Sequence, residues 1–351
     1  MNDILLKMNS QHVILLILLD FSAAFDTVYH GILLERLSDE VGIRWTALNW
    51  FRSYLSDRSQ RVSVHGVLSR PFDLNCGVPQ GSCLGPLLFI IYASKLFKIV
   101  EHYLPDAHCF ADDTQLYLSF KPLGNTTQVD AIQAMEKCID AVSKWMIQDR
   151  LMINDDKTEV LLVGTRQQLD KLHSCSITVG NNRISPSPCV KNLGSWFDSN
   201  LSMTDHINKA CTAAFYHLHN LRRIKKYRSR DSLITLVHAF ITSRCNCLLF
   251  GLPKAEIAKL QRVQNAAARL ILGIGKFSHI TAALYELHWL PVSLPIDYKI
   301  LLLTFKCIYG LAPTYLSDLI SIKSNSLYNL KSTGKLLLDH LKGNMLTTLG
   351  A

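Results

Sequence analysis

The sequence has no CxxC pair, although ten cysteines are scattered through its 351 residues. Its tightest pairing, Cys245-Asn246-Cys247, is too close for zinc-finger spacing. The expectation is a reduced intracellular chain whose thiols serve as small apolar side chains. A membrane span is also missing near the N-terminus. The apolar run Val13–Leu19 has seven residues, where a bilayer needs about 20. It ends on Asp20 with no small-residue cleavage site, so no signal peptide, transmembrane segment or membrane partner is expected. Repeats of fixed period and low-complexity tracts are absent too. Acidic residues are the scarcer charge, 28 against 37 Lys and Arg, giving a net +9. That excess favours a polyanionic partner.

What is present suits two folded domains. Hydrophobic residues make up 48% of the chain, enough for ordinary cores. Val13–Leu19 is uninterrupted, as in a strand buried on both faces, and Asp20 closes it. Val28, Ile32, Leu33 and Leu37 recur at helical spacing, as do Trp45, Leu48, Phe51 and Leu55. Arg61 to Val64 alternates as a short strand. A Gly/Pro-rich turn occupies 77–82, and residues 84–100 read as one apolar helix. His108 to Phe110 and Gln115 to Phe120 form two strand arms around a turn, Ala111 to Thr114. A helix over 128–147 and a strand at 160–163 follow. Beyond Ser202 long helical patterns dominate, at 203–223, 231–243, 254–272 and 297–309. The predicted organisation is an α/β domain over 1–200, a helical region over 201–321 and a poorly structured tail over 322–351.

Asp20 and Asp112-Asp113 carry the chemistry. An acidic residue seldom closes a wholly apolar strand unless it is paired or binds metal. Side by side, these elements gather three carboxylates at one sheet edge. Such hard oxygen ligands suit two Mg²⁺ ions that activate a 3′-hydroxyl and stabilise leaving pyrophosphate. An Asp-Asp pair on its own is more often a surface turn, so the flanking residues decide.

Leu18-Leu19-Asp20-Phe21-Ser22-Ala23-Ala24-Phe25-Asp26-Thr27-Val28 resembles motif A of reverse transcriptases. Gly77-Val78-Pro79-Gln80-Gly81-Ser82 with Leu84-Gly85-Pro86 resembles motif B. Phe110-Ala111-Asp112-Asp113 resembles motif C, with Phe where Tyr is usual, and residues 151–163, with Asn154, Lys157 and Thr158, resemble motif D. Order and spacing are similar to non-LTR (LINE-type) retrotransposon polymerases of the chicken-repeat and Jockey-like groups. Gln264 to Arg269 and Glu286 to Val292 extend the likeness, which covers about residues 3–321.

The resemblance implies an α+β fold, a right-hand polymerase palm of antiparallel sheet with packed helices, followed by an all-α thumb-like region. It implies RNA-directed DNA synthesis with an RNA template, a DNA primer, deoxynucleoside triphosphates and two Mg²⁺ ions, Mn²⁺ being a possible substitute. Asp20, Asp112 and Asp113 would hold the metals, with the Phe21 carbonyl as a further oxygen. Phe25 would lie under the nucleotide sugar and exclude a 2′-hydroxyl, although aromatics also bury readily as plain core. Gln80 and Gly81 would meet the nucleotide or template. Lys157 would protonate or neutralise pyrophosphate, or be a solvated turn lysine. Nucleus or cytoplasm is expected from the family. Arg222, Arg223, Lys225, Lys226, Arg228 and Arg230 crowd residues 221–230 and could grip a nucleic-acid backbone, against the alternative of a solvated loop. The histidines His206, His217, His219 and His238 read as structural.

Two departures stand against the likeness. Met1 lies nineteen residues before Asp20, so the fingers region is expected to be largely missing. Residues 243–251 run about three residues short of the family pattern. A truncated, catalytically inactive relic that keeps the palm and a basic surface is therefore the alternative to an active polymerase. An RNA-dependent RNA polymerase fits less well, because Phe25 and Ala111 stand where those enzymes usually carry a polar residue and Gly.

Overall fold

The computed structural model describes residues 2–79, 81–103, 105–240 and 249–320. Gln80, the tail over 322–351 and most of the short stretch over 243–251 lie outside them. The chain divides into two compact units, Met1–Leu201 and Ser202–Ala351.

The first unit is built on a four-stranded antiparallel sheet. Its order is Asp106–Phe110, Asp113–Phe120, Val13–Leu19, Glu159–Val163. Val13–Leu19 is therefore hydrogen-bonded on both sides, and its alternate residues Val13, Leu15, Ile17 and Leu19 enter the main core. Ile14 and Leu16 point the other way and are buried as well. That two-sided burial is why the strand shows no polar alternation. The helix Asn125–Gln148 supplies Met135, Ile139, Val142 and Met146 to the same core at helical spacing. Short antiparallel pairs also belong to the unit: Ser59–Gln60 with Phe72–Asp73, Ser63–Val64 with Val67–Leu68, Ile177–Val179 with Asn182–Ile184, and Cys189–Asn192 with Ser195–Asp198.

Two departures from the sequence reading bear on the site. The turn read as four residues closes in two, because Phe110 pairs directly with Asp113 and leaves only Ala111 and Asp112 at the tip. Ala111 accordingly takes φ +56°, the left-handed conformation that tight hairpins demand. The apolar stretch read as one helix is two, Gly85–Tyr92 and Lys95–Val100. No Gly or Pro marks that break.

A buried ion pair ties three helices together. Arg36, on the helix His30–Asp39, is 2% exposed and donates to the Asp149 carboxylate at the end of Asn125–Gln148. Tyr92, closing Gly85–Tyr92, donates its hydroxyl to the Asp149 carbonyl and accepts from the Tyr29 N–H at 3.3 Å. The Arg36 guanidinium also lies 5.0 Å from the Tyr92 ring centre and 5.9 Å from that of Trp145. Burial pushes the Tyr92 phenol above its ordinary value.

In the second unit Thr204–Ile224, Arg230–Phe240 and Lys254–Leu272 enclose Leu218, Leu221, Leu233, Val237, Val263 and Ala267. Helices Ile280–Glu286 and Ser293–Ile308 follow. Gly273, at φ +71°, ends Lys254–Leu272 in the left-handed conformation and donates to the Arg269 carbonyl at 2.9 Å. Among the described residues no helix is long and apolar enough to cross a membrane.

Truncating one partner of a buried pair leaves the other charge uncompensated. Arg36→Leu is expected to lower unfolding stability by about 3–5 kcal/mol in urea titration. Adding Asp149→Leu should recover part of that loss, since the double variant strands no charge.

Candidate active site

Strand register brings the carboxylates to one sheet edge. Leu19 pairs with Thr114, so the next residue, Asp20, leaves the strand beside Asp113. Asp112 stands at the hairpin tip. Past Leu19 the chain continues against the segment before Glu159–Val163. The Asn154 N–H donates to the Asp20 carbonyl at 2.8 Å, Phe21 bridges Ile153, and the Ser22 N–H donates to the Met152 carbonyl at 2.9 Å. These bonds fix the Asp20 backbone. Its carboxylate takes one cation from the protein, the Lys157 ammonium at 3.6 Å. Lys157 is largely solvated there, and its backbone N–H is anchored on the Asn154 carbonyl at 3.1 Å.

A second set of bonds locks the loop after Asp20 to the Gly/Pro-rich turn. The Val78 N–H donates to the Phe25 carbonyl and the Gly77 N–H to the Val28 carbonyl, both at 2.8 Å, and the His30 ring meets the Gly77 carbonyl at 2.9 Å. Gly77 has φ +90°, and a Cβ there would come within 3.1 Å of the Asp26 carbonyl oxygen. Only glycine allows that approach. Gly81, at φ +81°, needs glycine for its backbone angle alone, with open space around it. Ser82 Oγ accepts from the Gly85 N–H at 3.0 Å and starts the helix Gly85–Tyr92, with Pro86 in its first turn.

Phe25 is half-buried, its ring centre 5.3 Å from that of Phe89. It thus sits where the loop crosses the helix, and Phe21 packs on the same Phe89 at 6.4 Å. The six basic residues of 221–230 divide. Lys225 donates to the Leu270 carbonyl at 2.6 Å, capping the end of Lys254–Leu272, and Arg230 pairs with Glu286 at 2.6 Å. Arg222, Arg223, Lys226 and Arg228 are exposed. They lie in the second unit.

The model of the reverse transcriptase (RNA-dependent DNA polymerase) family matches residues 3–197, more than half of the chain. The chain belongs to this family. It is similar to the RNA-directed DNA polymerase from mobile element jockey of Drosophila melanogaster, with 26% identity over 73% of this chain and 28% of that protein. The probable RNA-directed DNA polymerase from transposon BS, also of Drosophila melanogaster, is 24% identical over the same shares. The chain thus spans little more than a quarter of these relatives' length. Among solved structures, telomerase from Candida albicans is similar at 13% identity and a TM-score of 0.43, covering 81% of this chain and 47% of that one.

Polymerases of the reverse transcriptase family use divalent metal ions, and the donors here suit them chemically. Asp20, Asp112 and Asp113 offer only hard carboxylate oxygens. Partial desolvation, then the charges of Asp112 and Asp20, raise the Asp113 carboxyl above its ordinary range. Mutual repulsion of that kind is what a bound cation relieves. Among the described residues, however, no three His, Cys, Asp or Glu side chains stand close enough to hold a metal as they are.

Asp113 carries the pH dependence. Its raised value means the folded state disfavours the ionised carboxylate. The penalty is absent below the ordinary carboxyl value of 3.8 and grows as pH rises through the folded value. In chelator, Asp113→Asn should raise the melting temperature at neutral pH, with the gain over wild type closing toward pH ~4. A gain that widens on acidification, read by circular dichroism, would contradict this assignment.

Proposed function

We propose that this chain holds the nucleotidyl-transfer centre of a retrotransposon RNA-directed DNA polymerase. Its substrates would be deoxynucleoside triphosphates, extending a DNA primer on an RNA template. The observation that carries the proposal is the strand register that sets Asp20 beside the Asp112-Asp113 hairpin, within the stretch matched by the family.

Asp20 and Asp112 would hold two Mg²⁺ ions, or Mn²⁺, with Asp113 beside them and the Phe21 carbonyl as a further oxygen. When bound, such ions supply Lewis acidity to the attacking 3′-hydroxyl and to the departing pyrophosphate. The chain's own residues position the reactants. Phe25, held by Phe89 and by the Val78 N–H on its carbonyl, presents a rigid ring beside the loop that carries Asp20. A ring fixed there can exclude a 2′-hydroxyl by volume alone. Gly77 and Gly81 keep side chains off the facing turn, and Gln80 between them would contact the nucleotide or template.

Lys157, 70% exposed with its ammonium 3.6 Å from the Asp20 carboxylate, would protonate the leaving pyrophosphate or neutralise its charge. Arg222, Arg223, Lys226 and Arg228 would contact the primer–template backbone through phosphate charge rather than base identity.

RNA-templated primer extension with Mg²⁺ tests the proposal. Asp112→Asn, nearly isosteric but a poorer ligand for a hard cation, should cut the extension rate about a thousandfold while leaving the circular dichroism spectrum unchanged. Equal extension by the Asn variant, or no divalent-dependent extension by wild type, would overturn it.

A further inference from the structure

Away from the carboxylates, the helix Trp45–Leu55 and the residues after it form a surface that the catalytic reading does not use. Trp50 and Tyr54, four residues apart, share one side of the helix, and Arg58 follows three residues beyond its end. Trp50 is 53% exposed and stacks on Tyr54, ring centres 5.4 Å apart and planes within 10°. The Arg58 guanidinium lies over the same Tyr54 ring at 4.6 Å. That arginine is held in place, because its Nε donates to the Tyr54 carbonyl at 2.6 Å. A second indole, Trp45, begins the helix 81% exposed.

Exposed rings grouped on one surface, unlike a single exposed one, mark a binding face. The charge near it in sequence indicates what such a face binds. Residues 44–70 contain five arginines, Arg44, Arg52, Arg58, Arg61 and Arg70, against one acidic residue, Asp57. An acidic peptide would satisfy the arginines but offers no flat apolar faces for the rings. An apolar protein surface would satisfy the rings and strand the guanidinium charges. Unpaired bases on a phosphate backbone satisfy both at once.

We infer that Trp50, Tyr54 and Arg58 form a stacking platform for single-stranded nucleic acid. Bases lie on the indole face, and the neighbouring arginines contact the phosphates. Binding of this kind tolerates sequence, because every base has a π-face, and it weakens steeply with salt. The platform stands on its own observations and does not require the carboxylate site to be active.

The test uses the full chain with a 12-nucleotide RNA carrying 5-iodouridine, and a DNA oligonucleotide of the same sequence. After irradiation, crosslinked peptides are mapped by mass spectrometry, and affinity is measured by fluorescence anisotropy with labelled oligonucleotides. Crosslinks are expected on Trp50 or Tyr54. Trp50→Ala should weaken binding about tenfold, while Trp50→Phe, which keeps a ring, should lose far less and controls for folding. Preference between the RNA and DNA arms identifies the strand, and either preference supports the platform. Asp112→Asn should leave both readouts unchanged, so loss of extension and loss of stacking are separable. Crosslinks confined to other segments, with unchanged affinity in Trp50→Ala, would overturn the inference. So would a Trp50→Ala variant whose self-association in sedimentation falls while its oligonucleotide affinity is intact, since that marks a protein-binding face.

Discussion

The register between Val13–Leu19 and Asp113–Phe120 is the constraint on which the candidate site depends. Side chains in a strand alternate faces, so a slip of one residue would invert every one of them. Here the slip is blocked twice over. Val13–Leu19 is paired on its other side to Glu159–Val163, and both of its faces are buried. The hairpin turn of only two residues sets the remaining offset, because Phe110 must face Asp113. Asp20 and Asp113 are thus held as neighbours by the hydrophobic effect acting on the strand, against their own repulsion. The raised Asp113 carboxyl is the electrostatic consequence.

The rest of the first unit supports that edge from below. Gly77 lets the Gly/Pro-rich turn lie against Asp26, so Phe25 is gripped between its own loop and the helix carrying Phe89. The other end of that helix is Tyr92, which joins Arg36 and Asp149 in the buried network. The positions of the Phe25 ring and of the ion pair are therefore linked through one eight-residue helix, Gly85–Tyr92. A buried ion pair contributes little net energy, although removing one partner strands the other's charge.

Much of this was legible from residue order. Val13–Leu19 announced a two-sided strand by lacking polar alternation, and the paired aspartates fell between two strand-like arms. The four long helices of the second unit followed from apolar spacing, with ends displaced by up to a turn. What escaped was short or long-range. The pairs Ile177–Val179 with Asn182–Ile184 and Cys189–Asn192 with Ser195–Asp198 have strands of three or four residues, too brief for alternation to show. Arg36 looks like a helix-surface charge, and only its partner 113 residues away reveals that it is buried. Lys225 and Arg230 belonged to a basic cluster by sequence, yet each is held by a carbonyl or carboxylate distant in the chain. Charge clustering locates a surface; it does not tell which charges are already engaged.

The proposed site makes a specific demand on its carboxylates: Asp20 and Asp112 would act on the same cation. Mn²⁺ affinity of wild type, Asp20→Asn, Asp112→Asn and the double variant, measured by electron paramagnetic resonance, tests this directly. A shared ion predicts strong non-additivity, with the double variant binding little more weakly than the weaker single variant. Losses that simply add in the double variant would mean separate ion sites, and would contradict the account.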